Sequence, residues 1–333
     1  KSPWDTVQAI QLLGEMREPA GIDLLEPIAA GGNWGMAVEA YKALAQIDPR
    51  NHGLTDDQRT LLDGARLYKE TEEQLRRRID GLAKLNPKEI RPLVMQMLRD
   101  TDHAAQYPAL LILTAWKDKD ALPRILELVQ GDNRSYHQQQ AVAAYLSIDG
   151  SPQAEKDVLD RLGTFGFGQS AYFEAVLRGI ATAEMPDDRK VAMLRAAGYN
   201  PQVPGAVPYA VGYMANRGHD VGGILVPLML EEKNLQPMAR YCTVAASDKA
   251  RRFGPLVGRA MSLLMSEPTV AAGGEKTTVS TAEAATLILD AVAVYDLKES
   301  AADVQKLAHS QNAVVRNAAQ AAGAKLGVPG TVN

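Results

Sequence analysis

Apolar and polar positions recur along the chain with the period of an α-helix, in pairs of segments. Residues 104–116 are almost all apolar or small, as expected of a helix that is buried on most sides. A polar turn at 117–120 follows, and residues 121–130 then repeat apolar side chains at helical spacing. Pro123 falls in the first turn of this second helix, where a missing N–H costs little. The pattern predicts a hairpin of two helices that needs neighbours to cover its apolar faces.

The same pair of segments recurs along the chain. We call the more apolar helix of each pair first-type and its partner second-type. First-type helices are predicted to begin near residues 4, 33, 71, 103, 133, 168, 204, 235, 280 and 311. The intervals run from 29 to 38 residues, apart from one of 45 that contains residues 267–279, a segment without any period and the predicted long loop. A period of this size, built of helix pairs, is typical of an α-solenoid.

Prolines followed by aliphatic residues recur in the second-type helices. Pro123 and Pro255 are expected in first turns, whereas Pro27 lies in a short helix and is the least secure of the set. At the helix ends, Asn33 and Ser151 are predicted N-caps, and Thr55 with Gln58 has the spacing of a capping box.

Two further helix ends have local signals. Ser280 and Glu283 predict a capping box for a helix over 281–295. Gly31 and Gly32 suit a left-handed C-terminal cap for the short helix before them.

The amino-acid composition and net charge argue against several classes of protein. Apolar residues make up 46% of the chain and aromatic residues 5%, which predicts an ordered chain with an aliphatic core. A net charge of −4 gives no reason to expect a nucleic-acid or anionic-membrane partner. No apolar run approaches the roughly 18 residues of a membrane span. Cys242 is the single cysteine, which excludes an intrachain disulfide framework and a cysteine metal site.

Several motifs together resemble the HEAT-repeat family. They are the proline-aliphatic second-type helices, turns such as Ile47-Asp48-Pro49, and residues 312–327, NAVVRNAAQAAGAKLG. This last stretch is similar to the family's first-helix pattern of a Val-Arg pair, alanines and then Leu-Gly. The resemblance implies an all-α fold, a right-handed α-solenoid of about ten stacked helical hairpins. It implies a single domain over 1–333, with 267–279 as an inter-repeat loop and a frayed tail at 327–333.

Two other repeat classes were weighed against the HEAT family. Tetratricopeptide repeats share the period but require an aromatic-rich pattern that this chain lacks. Armadillo repeats, which add a third short helix to each unit, remain an alternative.

The search for catalytic or cofactor chemistry returns no candidate. The five histidines fall in different predicted repeats, and no two have the i,i+4 spacing of a zinc helix. Cys242 lies in an apolar helix and is expected to be a buried small side chain. Residues 273–277 contain glycines and a lysine, but no strand precedes them, so a phosphate-binding loop is rejected. We therefore predict no catalytic residue, no metal site and no cofactor.

One helix stands out by charge among the second-type helices, which line the concave, partner-binding surface in the HEAT family. Lysine and arginine minus acidic residues sum to −1 over these helices, but to +3 over 250–266 alone. Arg251, Arg252, Arg259 and Lys276 are therefore predicted to contact a partner. Arg252 and Arg259 are expected on one helix face, two turns apart. The alternative is that these arginines pair with acidic residues of neighbouring repeats: Asp220, Glu231 or Glu232.

The resemblance favours a non-catalytic protein–protein interaction scaffold that holds a partner protein on its concave surface. A second possibility is a relative of the HEAT-like phycobilin lyases, which bind a tetrapyrrole in the concavity, although the aromatic residues here are scattered along first-type helices. Nucleic-acid binding, as in HEAT-like DNA glycosylases, requires a basic concave groove. We expect a monomer or weak oligomer without membrane insertion. The low cysteine content and the start at Lys1 favour an exported over a cytoplasmic protein.

Overall fold

A computed structural model describes residues 3–64, 72–101, 103–131, 135–165, 169–197, 206–274 and 276–329. Over these residues the chain forms twenty α-helices, three short 3₁₀ helices and no strand. The all-α prediction is confirmed.

The chain divides into two compact units, residues Lys1–Ala154 and Glu155–Asn333, and the boundary falls inside a helix. The helices of the first unit are α1 (Pro3–Met16), α2 (Ile22–Ala29), α3 (Trp34–Ile47), α4 (Asp56–Gly64), α5 (Glu72–Leu82), α6 (Pro87–Arg99), α7 (His103–Trp116), α8 (Leu122–Gln130) and α9 (Ser135–Ile148). The boundary helix is α10 (Pro152–Gly163).

The second unit continues the alternation of first-type and second-type helices. Its helices are α11 (Ser170–Thr182), α12 (Asp187–Ala196), α13 (Ala206–Ala215), α14 (Gly222–Glu231), α15 (Leu235–Ala246), α16 (Gly254–Ser266), α17 (Pro268–Ala271), α18 (Val279–Val294), α19 (Ala301–Leu307) and α20 (Ala313–Leu326). The 3₁₀ helices of the chain are Pro19–Gly21, Lys119–Ala121 and Lys298–Ser300.

The helices of the second unit pack in two rows. First-type helices α11, α13, α15, α18 and α20 contact one another in that order, and second-type helices α12, α14 and α16 do the same. Each first-type helix contributes an aliphatic or small core side chain that is almost fully buried: Leu177, Val211, Cys242, Ile288 and Val315. Full burial of one such side chain stabilises a fold by about 1.5–3 kcal/mol, so the row is held together mainly by its apolar seam.

The first unit shows related packing. First-type helix α1 packs on α3, helices α5, α7 and α9 pack in succession, and second-type helix α4 packs on α6. Gln96 of α6 reaches across to α2, where its Nε2 donates to the carbonyl oxygens of Ala29 and Gly31 at 2.6 and 2.9 Å. Asp100, 3% exposed, accepts a hydrogen bond from the Trp34 amide at the start of α3. Two side chains near the end of α6 thus satisfy backbone groups at the end of α2 and at the start of α3.

Most local signals in the sequence are confirmed. Asn33 accepts from the Met36 amide, Ser151 from the Ala154 amide, and Thr55 and Gln58 exchange both bonds of a capping box. Pro123 and Pro255 lie in first turns, whereas Pro27 lies inside its helix.

Two predicted helix ends are wrong. Neither Gly31 nor Gly32 has a positive φ, so neither forms a left-handed cap. Two carbonyl oxygens at this helix end instead accept hydrogen bonds from Gln96. Helix α18 begins at Val279, since Thr278 is the N-cap and accepts from the Thr281 amide at 3.2 Å. The predicted box of Ser280 and Glu283 therefore lies within the helix.

The predicted loop at 267–279 is also more structured than expected. It contains α17, a helix too short to show a period, and Val270 of that helix is 3% exposed. The Gly273 carbonyl accepts from the Gln311 amide at 2.9 Å, which ties the segment to the approach to α20. The segment is therefore a packed insertion between α16 and α18.

One helix ending recurs, which the sequence did not predict. Arg17 and Lys117 directly follow α1 and α7, and Asp296 lies two residues after the end of α18. All three have φ near +52°. At each site the residue after this position donates its amide to the carbonyl five residues back, the hydrogen bond of a Schellman motif. The motif normally uses glycine, as it does after α13 at Gly218 and after α20 at Gly327.

The segments after the three non-glycine turns are also alike. In each, a 3₁₀ helix begins two residues after the left-handed position and ends on a buried small residue: Gly21, Ala121 and Ser300. The side chain four positions further along is fully buried in every case: Leu25, Ile125 and Val304. The same local structure therefore recurs near the start, in the middle and near the end of the chain.

The tail that was predicted to be frayed begins with a helix cap. Gly327 caps α20 with a left-handed φ of 69°, and Val328 is 7% exposed. Residues 330–333 lie outside the described part of the chain.

Candidate functional site

The basic residues predicted to bind a partner do not form one helix face. Helix α16 begins at Gly254, so Arg251 and Arg252 lie in the turn before it and only Arg259 is helical. The prediction that Arg252 and Arg259 share a helix face is wrong, because Arg251 has a φ of 53° that cannot belong to an α-helix. Lys276 is exposed and lies beyond α17, in the insertion.

Arg252 donates hydrogen bonds to two carboxylates, those of Asp220 and Asp248. Its two terminal nitrogens each donate to an Asp220 oxygen at 3.1 Å, and Nε and Nη2 donate to Asp248 at 3.3 Å. The hydrogen bond from Arg252 holds the pKa of Asp220 below its usual value, and the carboxylates in turn raise the pKa of Arg252. Burial raises the pKa of Asp248, but hydrogen bonds from Arg252 outweigh it and the net shift is downward. The residue therefore joins the segments before α14 and α16.

Arg259 also makes a contact between helices. Its Nη2 donates to the carbonyl oxygen of Glu232, the C-terminal cap of α14, at 3.0 Å. Arg195 of α12 approaches the same end of α14, with Nη2 2.8 Å from a Glu231 oxygen. Cations at a helix C-terminus complement its negative dipole end. Arg252 is thus paired with an acidic residue of the neighbouring repeat, the alternative considered for these arginines, whereas Arg259 contacts a backbone carbonyl and not a carboxylate.

Guanidinium–carboxylate pairs of this kind recur between second-type segments. Nε of Arg91 in α6 donates to Asp118 before α8 at 2.6 Å, and Arg189 of α12 donates to Glu155 of α10 at 2.6 Å. The side-chain hydrogen bond to Asp118 raises the pKa of Arg91. Both pairs are partly buried, so they hold adjacent helices in register more firmly than solvent-exposed pairs do.

Cys242 is an ordinary buried core residue, whereas two of the histidines, His103 and His137, contact each other. Burial raises the pKa of the Cys242 thiol to about 12, so the side chain is a neutral core group, as predicted. His103 of α7 and His137 of α9 come together, with ring centroids 4.1 Å apart, although the sequence places them in different repeats. Within the described ranges, no three His, Cys, Asp or Glu side chains are placed to hold a metal ion.

The aromatic residues are less scattered than the sequence suggests. The Arg178 guanidinium of α11 lies 5.7 and 5.6 Å from the ring centroids of Tyr209 and Tyr213 on α13. Arg217, one turn beyond Tyr213, lies 4.1 Å from the centroid of that ring. These distances are those of cation–π contacts. Only the i,i+4 spacing of the two tyrosines and Arg217 is visible in sequence.

A groove lies between second-type helices in the first unit. It has a volume of about 510 Å³ and is lined by Met95 and Arg99 of α6, Pro123, Arg124 and Glu127 of α8, and Asp120 of the turn before α8. Nε of Arg124 is buried and has no hydrogen-bond partner among the described residues. The sequence identified these helices as second-type but gave no reason to single out this pair.

No family model, curated protein or solved structure matches the chain. Every helix in the described part of the chain falls short of the length or apolar character that a membrane span requires.

Proposed function

We propose that the chain is a HEAT-like α-solenoid that acts as a non-catalytic scaffold and binds a partner protein along its second-type helices. The repeat architecture is supported by the recurrent turn at Arg17, Lys117 and Asp296 and by the two rows of helices in the second unit. Stacked helix pairs of this kind create an extended surface on which a partner can lie.

The groove between α6 and α8 is the observation that carries the functional part of the proposal. Met95 and Pro123 offer apolar surface, and Arg99 is an exposed cation with no ion pair in the described ranges. Arg124 pairs through Nη1 with Glu127 at 2.6 Å while its Nε stays unsatisfied. A groove of this size and lining suits an extended peptide segment that carries apolar and acidic side chains.

Selection of peptides from a phage-displayed library on the immobilised full chain tests the proposal. Selected peptides should combine apolar and acidic residues, and the double variant Arg99→Glu with Arg124→Glu should weaken their binding at least about tenfold, because it reverses two charges at the groove. Lys306→Glu with Lys325→Glu is the matched control, since both residues are exposed and belong to the second unit. Equal losses in the two variants would contradict the proposed surface.

Small-angle scattering tests the repeat architecture separately. A compact globule of this length has a radius of gyration of roughly 20 Å. The proposed solenoid requires a clearly larger value, and a measured value near that of a globule would contradict it.

A further inference from the structure

The first-type helices of the second unit carry a basic and aromatic surface that we call the arginine–tyrosine strip. It consists of Arg178 of α11, Tyr209, Tyr213 and Arg217 at or just beyond α13, and Arg240 of α15. Tyr209 is 54% exposed, unusual for so large a side chain next to two packed helices. Arg and Tyr are the residue types enriched at the energetic centres of protein interfaces.

Arg178 is the central residue of the strip. Its guanidinium is flanked by the rings of Tyr209 and Tyr213, and its Nε is buried without a hydrogen-bond partner among the described residues. Glu174, one turn earlier on α11, makes no ion pair with it. The Arg178 side chain makes no hydrogen bond or ion pair with another described residue, so the exposed part of its guanidinium has donors for an external anion. The tyrosine rings restrict its orientation before any ligand arrives.

Arg240 adds a positive charge on α15, the next first-type helix of the row. It is exposed and forms no ion pair in the part of the chain that the structure describes. Val244, one turn further along α15, approaches Gly212 so closely that a Cβ there would lie 3.2 Å from its Cγ2. Arg240 therefore lies on the helix that packs directly against α13, which carries the two tyrosines.

The strip ends at the next helix of the row. Glu283 and Asp290 are exposed on α18, which packs on α15, so the positive surface does not continue along the row. A nucleic-acid strand needs a track of cations that follows its phosphates. A short surface with Arg178, Arg240 and two tyrosine rings matches better a short acidic segment of a protein. Its carboxylates can accept hydrogen bonds from these two arginines while its apolar atoms cover the rings.

We infer that the arginine–tyrosine strip is a docking surface for a short acidic peptide segment of a partner protein. It lies on first-type helices and shares no residue with the groove of the proposed function. The two surfaces can therefore be tested independently.

Fluorescence anisotropy on the full chain, with a fluorescein-labelled peptide of eight glutamates interrupted by two leucines as the probe, tests the inference. The variant Arg178→Gln with Arg240→Gln should weaken binding about tenfold or more, because it removes two charge-assisted contacts. Raising the salt concentration should weaken binding to the unchanged chain and reduce the difference. If the double variant is unstable, Arg240→Glu alone, a change at an exposed position, should also weaken binding of the peptide.

Three controls decide the result. Lys249→Gln with Lys306→Gln removes the same charge elsewhere in the second unit and should leave binding unchanged. The peptide with glutamine in place of glutamate should not bind measurably. A labelled deoxythymidine 12-mer should bind more weakly than the acidic peptide. Unchanged binding in the Arg178 and Arg240 variants, an equal loss in the lysine control, or tighter binding of the oligonucleotide would each overturn the inference.

The groove variant Arg99→Glu with Arg124→Glu separates this inference from the proposed function. Glutamate-peptide binding that survives this variant and is lost in the strip variant assigns the peptide to the strip. The opposite pattern would assign acidic ligands to the groove and overturn the inference while supporting the proposed function.

Discussion

Arg252 and Asp220 form a two-point ion pair, with both terminal nitrogens of the guanidinium 3.1 Å from the two carboxylate oxygens. The pair joins the segment before α16 to the segment before α14. It gives a structural role to an arginine whose charge alone suggested partner binding.

A double-mutant cycle should detect this pair. Arg252→Gln and Asp220→Asn should each lower the free energy of unfolding, and the double variant should lose less than the sum of the single losses. Because the pKa of Asp220 is lowered in the fold, its contribution is present above the ordinary carboxylate value near 3.8 and is lost as pH falls through the folded value. Urea unfolding between pH 7 and pH 3 should therefore show a shallower acid dependence in Asp220→Asn. Additive losses would show that the residues do not interact in solution.

Glycine should be favourable at the left-handed turn positions. Arg17 has a φ of 52° and an exposed side chain, so Arg17→Gly should raise the free energy of unfolding by about 0.5–1 kcal/mol through relief of backbone strain. Met16→Gly is the matched control one residue earlier. Met16 is 63% exposed and helical, so glycine there should destabilise by about 1 kcal/mol. Thermal unfolding that shifts in the same direction for both variants would contradict the assigned turn.

The α1–α3 contact can be tested at Gly14. A Cβ at this position would lie 2.9 Å from the Cα and Cβ atoms of Ala43, so Gly14→Ala should cost about 1–3 kcal/mol by overpacking. Gly258 in α16 has no atom within 4 Å of such a Cβ, and Gly258→Ala should stabilise by about 0.5–1 kcal/mol through helix propensity. Chemical denaturation of the two variants measures the difference. A neutral Gly14→Ala would mean that α1 does not pack on α3 as described.

Alkaline pH should destabilise the fold through Cys242. Its pKa is raised from 9.0 to about 12, so its stabilising contribution is present below 9 and is lost progressively as pH rises towards 12. At pH 10.5 the loss attributable to Cys242 should be about 2 kcal/mol. Buried Tyr241 adds to the alkaline loss, since burial raises its pKa as well. The variant Cys242→Ala removes the thiol and should reduce the decline between pH 8 and pH 10.5. An unaltered decline would show that the thiol is accessible to solvent.

The sequence predicted well those features that depend on neighbouring residues. Helix positions follow from apolar periodicity, and N-caps such as Asn33 and Ser151 follow from a side chain and an amide three residues apart. Pro123 and Pro255 were placed correctly for the same local reason.

Features that depend on distant residues could not be read in this way. Gln96 donates to two carbonyls at the end of α2 from a helix more than sixty positions further along the chain. The arginine–tyrosine strip lies along three first-type helices, so a charge count over second-type helices does not detect it. The turn before α16 was misplaced because Arg251 adopts a left-handed φ that propensity assigns to glycine or asparagine.

The repeated turn at Arg17, Lys117 and Asp296 also bears on how such a chain can change in length. Backbone conformation and hydrogen bonding are the same on both sides of these three positions. Recombination within the gene that joins the first half of one turn to the second half of another recreates the same turn. The turns are thus natural crossover points, at which whole groups of hairpins can be gained or lost in a gene without inventing a new connection.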